Sequence, residues 1–407
     1  MAGPIPTRLL PDTAAISADG RLRIGGCDLV DLAGEYGTPL FVYDEAHLRA
    51  RCREAVTAFG DGVAYASKAF LCDAMARLAH EEGMHLDVAT GGELFVALRA
   101  GVPADRLVMH GNNKSDAELA MALDEGVGRI VVDSFDELDR LDALAGSTGS
   151  RPRVLLRITP GVEAHTHEFV ATGQDDSKFG FTVSSGLATA AVERAIGSAS
   201  VELVGLHAHI GSQVFEVGAF ARAVEVLADF AAPFGLAELS VGGGLGVPYV
   251  EGESAPSITE WASGIRAVCE AAGVMASVSA EPGRAIVAAA AITLYTVGTI
   301  KDLPGIRTYV AVDGGMSDNP RPVLYGSGYE TFLPRAAAAE RARSVRVVGK
   351  HCESGDLLVR EGWVPNDLAV GDVLATPVTG AYGHAMGSNY NHVLRPAVVF
   401  VADGDAR

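Results

Sequence analysis

The sequence predicts an α/β protein: a (β/α)8 TIM barrel joined to a second, mostly β domain. From Val63 to Ala280, eight short β-rich runs alternate with helical segments rich in Ala and Leu, which is typical of a parallel barrel. After Arg284 the alternation stops, and residues 286–407 are rich in Val, Thr, Ile and Gly, which favours strands. We assign 38–285 to the barrel, and 1–37 with 286–407 to the β domain.

Each predicted barrel strand ends in a polar or glycine residue, after which a helical stretch begins. The eight runs are Val63–Ser67, His85–Ala89, Leu107–His110, Arg129–Val132, Arg153–Ile158, Val201–His209, Glu238–Val241 and Ser277–Ala280. Before them, Leu40–Tyr43 predicts one more strand, and Asp44 is expected to cap a helix that runs to about Phe59.

Composition excludes several classes of protein. The 407 residues are 48% hydrophobic and 20% charged, which is globular and long enough for two cores. A net charge of −19 without a basic stripe argues against nucleic-acid binding. The sequence contains no uncharged apolar run of about 18 or more residues, so we predict no membrane span. The N-terminus lacks the pattern of a signal peptide.

The cysteines and the pattern of possible metal ligands are also informative. Five scattered cysteines without a CxxC pair indicate reduced thiols and a cytoplasmic location, and no metal-ligand spacing is present.

Barrel enzymes carry their chemistry where the strands end, and polar residues gather there. These are Lys68, Asp87, His110, Asn112, Asp133, Arg157, His209, Gly242–Gly244 and Glu281. For Lys68, the stretch Val63–Phe70 alone favours neither of two interpretations. It is a surface loop lysine, or it is a desolvated lysine whose lowered pKa frees the amine to form a Schiff base.

Late in the barrel, two glycine loops follow adjacent strands. The run Val241–Gly246 (VGGGLG) and Gly283 (EPGR) could present backbone N–H groups to a phosphate, although a plain turn is the alternative for each. Glu281 is either a surface carboxylate or the group that keeps a pyridine nitrogen protonated. His209 could stack on a flat cofactor or pack in the core, and His207 is expected to be structural.

Outside the barrel strands, a second set of residues suits amino-acid recognition. Arg284, Arg321 and Tyr325 could bind a carboxylate, because arginine offers a bidentate donor pair. Cys352 is a candidate proton donor and Glu353 a candidate partner for a substrate ammonium. The alternative for Cys352 is a small buried residue.

Nine segments in the same order as in a known family connect these residues. They are YASKAF, LDVATGGEL, HGNNKS, HAHIGSQ, VGGGLG, EPGR, DGGMSDNPRPVLY, GKHCESGD and GAYGHAMGSNYN. Together they resemble the diaminopimelate decarboxylase family, fold type III decarboxylases within the alanine racemase-like enzymes that use pyridoxal phosphate.

The resemblance implies a role for each matching residue. Lys68 resembles the Schiff-base lysine, His209 the ring-stacking residue and Glu281 the partner of the pyridine nitrogen. Cys352 resembles the proton donor, which the other subunit of a homodimer would supply. The implied cofactor-binding set is Lys68, Asp87, His209, Ser212, Gly243, Gly244, Glu281, Gly283, Arg284 and Tyr382. The implied substrate-binding set is Arg284, Arg321, Tyr325, Glu353 and Tyr382.

The implied activity is decarboxylation of meso-2,6-diaminopimelate to L-lysine and CO2, without a metal. Related decarboxylases of ornithine, arginine or carboxynorspermidine are alternatives, and so is a homologue that binds pyridoxal phosphate without catalysis. Arg321 argues against the simple diamine-forming enzymes, because their substrates have no distal carboxylate to bind.

Overall fold

The computed structural model describes residues 2–162 and 175–407, which form two compact units. The barrel unit comprises Arg51–Gly246 and Ala255–Ala285. The β unit comprises Met1–Ala50, Val247–Ser254 and Ile286–Arg407. These bounds differ from the predicted division at residue 38, because the strand that starts at Leu40 pairs with strands of the β unit.

The N-terminal segment forms a small antiparallel sheet, a helix and the first long strand. Its elements are β1 (Ala15–Ile16), β2 (Leu22–Ile24), β3 (Cys27–Asp28), α1 (Leu29–Tyr36), β4 (Leu40–Asp44) and α2 (Glu45–Phe59). Strand β2 pairs with both β1 and β3. The Asp28 side chain begins α1 by accepting hydrogen bonds from the backbone of Val30 and Asp31.

All eight predicted barrel strands are present. The strands of this unit are β5 (Ala64–Ala66), β6 (His85–Val88), β7 (Leu107–Met109), β8 (Arg129–Val132), β9 (Arg153–Thr159), β10 (Phe181–Thr182), β11 (Glu202–His207), β12 (Glu238–Ser240) and β13 (Ser277–Ser279). Its helices are α3 (Asp73–Glu81), α4 (Gly91–Arg99), α5 (Asp116–Glu125), α6 (Phe135–Thr148), α7 (Leu187–Ile196), α8 (Val217–Ala231) and α9 (Ile258–Ala271).

The barrel strands are parallel and follow one another in the order β5-β6-β7-β8-β9-β11-β12-β13, with β10 paired to β9. The ring closes between its first and last strands, because Ala64 N donates to Ala280 O at 3.0 Å and Ala66 N to Pro282 O at 3.3 Å. The predicted fold class is therefore confirmed.

The barrel interior is lined by small and medium side chains. Ala64, Val108, Val131, Leu155 and Val204 form one buried cluster. Barrel cores are usually filled by bulky branched side chains. Here a cavity of about 210 Å³ remains, which reaches from Asp61, in the turn before β5, and His85, at the start of β6, to Ser240 and Glu281. We refer to it as the floor cavity.

The β unit is a sheet in which one interior strand, β4, comes from the N-terminal segment. The remaining elements are α10 (Arg284–Val287), β14 (Ala291–Leu303), β15 (Arg307–Val312), α11 (Arg321–Tyr325), β16 (Arg343–Val348), β17 (Leu357–Val364), β18 (Val373–Pro377), β19 (Ala397–Ala402) and β20 (Asp405–Ala406). The order is β17-β16-β15-β14-β4-β19-β20, with β18 also paired to β14. Among the described residues, no helix has the length and apolar character needed to cross a membrane.

A buried ion pair supports the loop that follows β7. The Lys114 Nζ donates to Glu137 Oε1 at 2.6 Å and to the backbone oxygens of Gly111 and Val131, each at 2.7 Å. Burial lowers the pKa of Lys114 and raises that of Glu137, while each group opposes the shift of the other. Removal of one partner would leave an uncompensated buried charge.

We therefore expect Lys114→Met to lower the free energy of unfolding by about 3 to 5 kcal/mol. Arg99→Met is the control, because the Arg99–Asp73 pair is exposed and should contribute about 0 to 1 kcal/mol. Urea denaturation followed by circular dichroism measures both. If the two substitutions lowered the free energy of unfolding equally, the larger contribution expected of the buried Lys114–Glu137 pair would be contradicted.

Candidate active site

A cavity of about 350 Å³ opens where the barrel strands end. It brings together four predicted site residues from four different strand ends: Lys68, Asp87, His209 and Glu281. These residues are up to 213 positions apart in the sequence, and the closed ring of strands places them around one opening.

Glu281 is the most heavily hydrogen-bonded acid in this cavity. The His207 Nε2 lies 2.9 Å from its Oε2, and the Ser240 hydroxyl donates to its Oε1 at 2.9 Å. The His110 Nε2 is 3.4 Å from the same Oε1. Burial raises the pKa of the Glu281 carboxyl, but His207 and His110 outweigh burial and hold the pKa well below its ordinary value. The side chain is therefore a buried anion.

Asp87 lies on the other side of His110. Its Oδ1 is 3.2 Å from the His110 Nε2. Burial raises the pKa of Asp87, and the charge of His110 opposes this shift only in part. Two buried acids that lie beside one histidine thus have pKa values displaced in opposite directions.

His209 is half-buried and tied to the glycine loop. The backbone N–H of Gly243 donates to the His209 Nδ1 at 3.1 Å, which fixes the ring. Burial, followed by the charges of Lys68 and Arg157, lowers the pKa of His209 well below its ordinary value. The ring is therefore a neutral, flat surface at the cavity wall, as stacking on an aromatic ligand requires.

The two glycine loops lie where side chains do not fit. A Cβ atom at Gly243 would come within 2.3 Å of the Glu281 carbonyl oxygen, and one at Gly244, whose φ is +113°, within 2.2 Å of the Gly211 oxygen. At Gly283 it would meet the Ala66 oxygen at 2.9 Å. The backbone is thus closely packed at both loops, as an amide-lined anion site requires.

Arg284 and Ser212 are joined directly. The buried Arg284 donates from Nη2 to the Ser212 hydroxyl at 2.7 Å. This contact holds a guanidinium and a hydroxyl side by side, a pair of donors suited to phosphate or carboxylate oxygens.

Lys68 lies in a short 3-10 turn, Ser67–Ala69, directly after β5. Its side chain lines the cavity and is exposed in the single chain. The Schiff-base interpretation of the sequence expected the Lys68 side chain to be desolvated, whereas here it is exposed. The amine is accessible to a ligand that enters the cavity.

Several cavity residues were absent from the predicted site. His207 was expected to be structural, yet it contacts Glu281. Arg157 was noted only as a strand end, but its guanidinium lies 4.1 Å from the centre of the Phe179 ring in the cavity wall. Glu93 accepts a hydrogen bond from the Ala89 backbone at 2.7 Å. The sequence LDVATGGEL contains Glu93, but no spacing rule distinguishes it from a helix-start carboxylate.

In the β unit, Arg321 begins α11 and is buried among tyrosines. Its guanidinium lies 4.1 Å from the centre of the Tyr249 ring and donates from Nη1 to the Tyr329 hydroxyl. Burial lowers the pKa of Arg321, but Tyr249 and Tyr329 outweigh burial and raise it. Its Nε has no hydrogen-bond partner among the described residues. Neither tyrosine was predicted, and Tyr325, at the end of α11, is half-buried.

The remaining predicted residues of the β unit lie in loops. Cys352 is an exposed free thiol, so the alternative of a buried packing residue is wrong. Glu353 is exposed and accepts a hydrogen bond from the Tyr390 hydroxyl at 3.0 Å. Tyr382 is half-buried and has a φ of +61°, a conformation uncommon outside glycine.

Comparison with known proteins identifies the family. A model of the pyridoxal binding domain of pyridoxal-dependent decarboxylases matches residues 45–288. The diaminopimelate decarboxylase of Mycobacterium tuberculosis is 49% identical over 95% of this chain and 92% of its own length. This chain belongs to the diaminopimelate decarboxylase family. The resemblance inferred from the nine segments is therefore confirmed.

Two further relatives support the assignment over the whole chain. The diaminopimelate decarboxylase of Bacillus subtilis is 46% identical, covering 98% of this chain and 94% of its own. The crystal structure of the M. jannaschii diaminopimelate decarboxylase in complex with L-lysine is 32% identical, with a TM-score of 0.89 over 97% of this chain and 94% of that one. Both units of the fold are thus shared with this family.

Family membership implies pyridoxal phosphate, and the residues present fit it. A buried carboxylate that stays ionised suits a protonated ring nitrogen, and a neutral imidazole suits a ring face. The glycine loops and Arg284 suit a phosphate. The fold also brings ligand atoms of His110, His207 and Glu281 within 4.8 Å of one another, a set that could hold a metal ion although no sequence spacing indicated it.

The tight packing of the glycine loop leads to a prediction. Gly243→Ala should weaken binding of pyridoxal phosphate at least about tenfold, a change of about 1.4 kcal/mol, because the added methyl group collides with the Glu281 backbone. Gly218→Ala on α8 is the control, since its added methyl group would meet only the flexible Arg222 side chain at 3.7 Å. Fluorescence titration of the cofactor-free protein measures both affinities, and unchanged affinity in Gly243→Ala would contradict the close-packing argument.

Proposed function

We propose that this chain converts meso-2,6-diaminopimelate to L-lysine and CO2 with pyridoxal phosphate, the last step of lysine biosynthesis. The observation that carries the proposal is the pairing of an accessible amine, Lys68, with an ionised buried acid, Glu281, in one cavity of a chain from this family. The net reaction breaks the bond between a carboxylate and its α-carbon, releases CO2 and adds a proton to that carbon.

When bound, pyridoxal phosphate supplies an electron sink for the electron pair left on the α-carbon. Lys68 would provide the amine that holds the cofactor aldehyde. Glu281 would accept a hydrogen bond from the ring nitrogen and so favour its protonated form. His209 would cover one ring face, and the backbone N–H groups of Gly244 and Gly283, with Ser212 and Arg284, would bind the phosphate, while the Gly243 N–H holds the His209 ring. Asp87, which lies beside His110 in the same cavity, is a further residue of the proposed cofactor-binding set.

The β unit would bind the distal end of the substrate. Arg321 suits the distal carboxylate, because its buried Nε lacks a partner among the described residues and its charge is retained. Tyr325 and Tyr382 of the same unit would complete the carboxylate site, and Glu353 would pair with the distal ammonium. An amino acid that is decarboxylated to a simple diamine has no distal carboxylate. It would leave the buried Arg321 charge without a negatively charged partner, which disfavours such substrates.

Cys352 is the proposed proton donor to the α-carbon. The thiol is exposed in the single chain, which is compatible with use by a second copy of the protein. We therefore propose a homodimer in which each chain supplies Cys352 to the site of its partner. The free cysteines and the biosynthetic role favour a cytoplasmic enzyme.

The first test removes the amine. Lys68→Ala should abolish both the visible absorption band of the bound cofactor and the release of CO2, because Lys68 is the lysine that lines the cavity among the described residues. Lys301→Ala, an exposed lysine of the β unit, is the control and should behave like the wild type. Turnover by Lys68→Ala would contradict the assignment.

A second test addresses the substrate. Purified protein incubated with carboxyl-labelled diaminopimelate, lysine, ornithine and arginine should release labelled CO2 from diaminopimelate alone. Release from ornithine or arginine instead would show that the distal carboxylate is not the recognised group. Cofactor binding without release from any substrate would indicate a non-catalytic homologue.

Arg321→Met tests distal recognition. It should lower kcat/KM for diaminopimelate on the order of 30-fold or more, chiefly through KM, since loss of one partner of a buried charged pair costs about 2 to 5 kcal/mol. Arg307→Met is the control, because Arg307 also lies near a tyrosine ring, at 5.9 Å, but is exposed. An unchanged KM in Arg321→Met would remove Arg321 from the substrate site.

A further inference from the structure

Cys352 and Glu353, the proposed proton donor and ammonium partner, lie on a short turn between β16 and β17. We refer to residues 350–356 as the cysteine turn. The side chains of residues 352–355 are all exposed, so burial of those side chains does not fix where the thiol and the carboxylate point. The position of the thiol therefore depends on what holds the backbone of the turn.

Asp356, at the end of the cysteine turn, is a buried carboxylate that accepts two backbone hydrogen bonds. Its Oδ2 accepts from the His351 N–H at 2.8 Å, which closes the turn on itself. Its Oδ1 accepts from the Met316 N–H at 2.7 Å, which ties the turn to residues 314–321. We call these residues the arginine segment, because they end at Arg321. A carboxylate can serve both donors, since each of its oxygens accepts hydrogen bonds.

Two glycines leave the space that this carboxylate occupies. A Cβ atom at Gly315 would come within 2.6 Å of the Asp356 Oδ1, and one at Gly349 within 2.3 Å of its Oδ2. Neither glycine has a positive φ, so backbone conformation is not the reason for glycine at either position. The close approach of Asp356 is the reason, and it confines the carboxylate to one place.

His351 ties the cysteine turn to two further places in the β unit. Its Nε2 lies 2.8 Å from the hydroxyl of Ser317 in the arginine segment, and its Nδ1 lies 3.0 Å from the side-chain oxygen of Asn391. The His351 ring is buried and packs on the Tyr390 ring, with centroids 5.1 Å apart. Tyr390 in turn donates to Glu353 at 3.0 Å. The residue between His351 and Glu353 is thus flanked on both sides by groups that are bonded to other segments.

We infer that Asp356 and His351 are positioning residues, which hold the cysteine turn against the arginine segment so that the Cys352 thiol approaches the α-carbon from one fixed direction. This inference rests on the proposed function for its reaction, and it adds two residues to those assigned there. Both act through the backbone of the turn and not on the substrate, so neither is itself catalytic.

Proton delivery depends on position, because the donor must lie within hydrogen-bond reach of the atom that it protonates. A displacement of about 1 Å that originates far from the reacting atoms can cost on the order of 100-fold in rate. Without the contacts of Asp356 and His351, the exposed part of the cysteine turn would be held only where β16 ends and β17 begins. The thiol would then lose its fixed direction of approach.

The test weakens the tie at Asp356 and follows the face of protonation. Asp356→Asn keeps the shape of the side chain but leaves one acceptor oxygen for two N–H donors, and Asp356→Ala leaves none. The reaction is run with diaminopimelate in D2O, so that the lysine formed carries one deuterium on the carbon that lost CO2. The wild type should give one configuration at that carbon, because a single fixed donor delivers from one face. Nuclear magnetic resonance of a chiral derivative of the lysine measures it.

Both variants should also give the second configuration, because water protonates the carbon from either face when the thiol is displaced. The kcat of Asp356→Asn should fall on the order of 10-fold to 100-fold, and that of Asp356→Ala further, with the visible band of the bound cofactor unchanged. Asp372→Asn is the matched control. Asp372 also accepts from a backbone N–H, that of Ala369 at 2.8 Å, but it lies outside the cysteine turn. This variant should keep one configuration and the wild-type kcat.

A single configuration in the lysine formed by Asp356→Asn would overturn the inference even if kcat or the melting temperature fell, because lost stability alone does not change the face of protonation. A mixture of configurations from the wild type would overturn it too, since the donor would then have no fixed direction. Ser317→Ala covers the case in which the Asp356 variants do not fold, because it removes only the hydroxyl beside His351. It should give a smaller share of the second configuration, and a single configuration would overturn the role of His351.

Hydrogen exchange needs no substrate, so it separates this inference from the proposed function. In the wild-type holoenzyme, the N–H groups of His351 and Met316 should exchange slowly, because each donates to a buried carboxylate. Mass spectrometry should show faster exchange of both in Asp356→Asn but not in Asp372→Asn. If the wild type released no CO2 from diaminopimelate, the proposed function would fail, and this pattern would still support the tie. Fast exchange of both groups in the wild type would overturn the inference without any substitution.

Discussion

The closure of the barrel between β5 and β13 is the constraint on which the site depends. Two backbone hydrogen bonds, from Ala64 and Ala66 to Ala280 and Pro282, join the first strand to the last. Because all eight strands are parallel, their C-terminal ends lie at the same rim. Lys68 and Glu281 immediately follow the two strands that meet at this seam, so closure brings together residues from opposite ends of the barrel sequence.

At that rim, electrostatics rather than shape distinguishes one acid from another. Glu281 and Asp87 are both buried and both contact His110, yet the pKa of Glu281 is lowered and that of Asp87 is raised. The difference arises because Glu281 also contacts His207, whereas burial dominates at Asp87. The floor cavity lies on the other side of Glu281. It exists because the small interior side chains leave space where the interior of most barrels is filled.

The sequence predicted the barrel well because its signal is local and repeated. Each strand is a short β-rich run that ends in a polar residue, and all eight were found at nearly the predicted positions. The rim residues followed from the same rule. The contact of His207 with Glu281 could not be predicted, because it depends on how β11 and β13 are placed around a closed ring and not on spacing within either strand.

The other differences have similar causes. The boundary predicted at residue 38 groups Leu40–Asp44 with the barrel, whereas this strand pairs with β14 and β19, which lie more than 240 residues away in sequence. The two tyrosines that contact Arg321 are Tyr249 and Tyr329. They lie in separate parts of the sequence, and no periodic pattern in the sequence connects either of them with Arg321. Local patterns therefore reveal which residues end a strand, whereas long-range pairing decides which of them meet.

The position of β4 between β14 and β19 also constrains the order in which the protein can assemble on the ribosome. Leu40–Asp44 emerges early, but roughly 350 residues separate it from its neighbour β19 at the far end of the chain. At translation rates of about 5 to 20 residues per second, that strand waits on the order of 20 to 70 s for its partner. The complete barrel sequence and β14 have been synthesised before then, so one edge of β4 would remain without its partner strand during this interval, and chaperones would be expected to shield it.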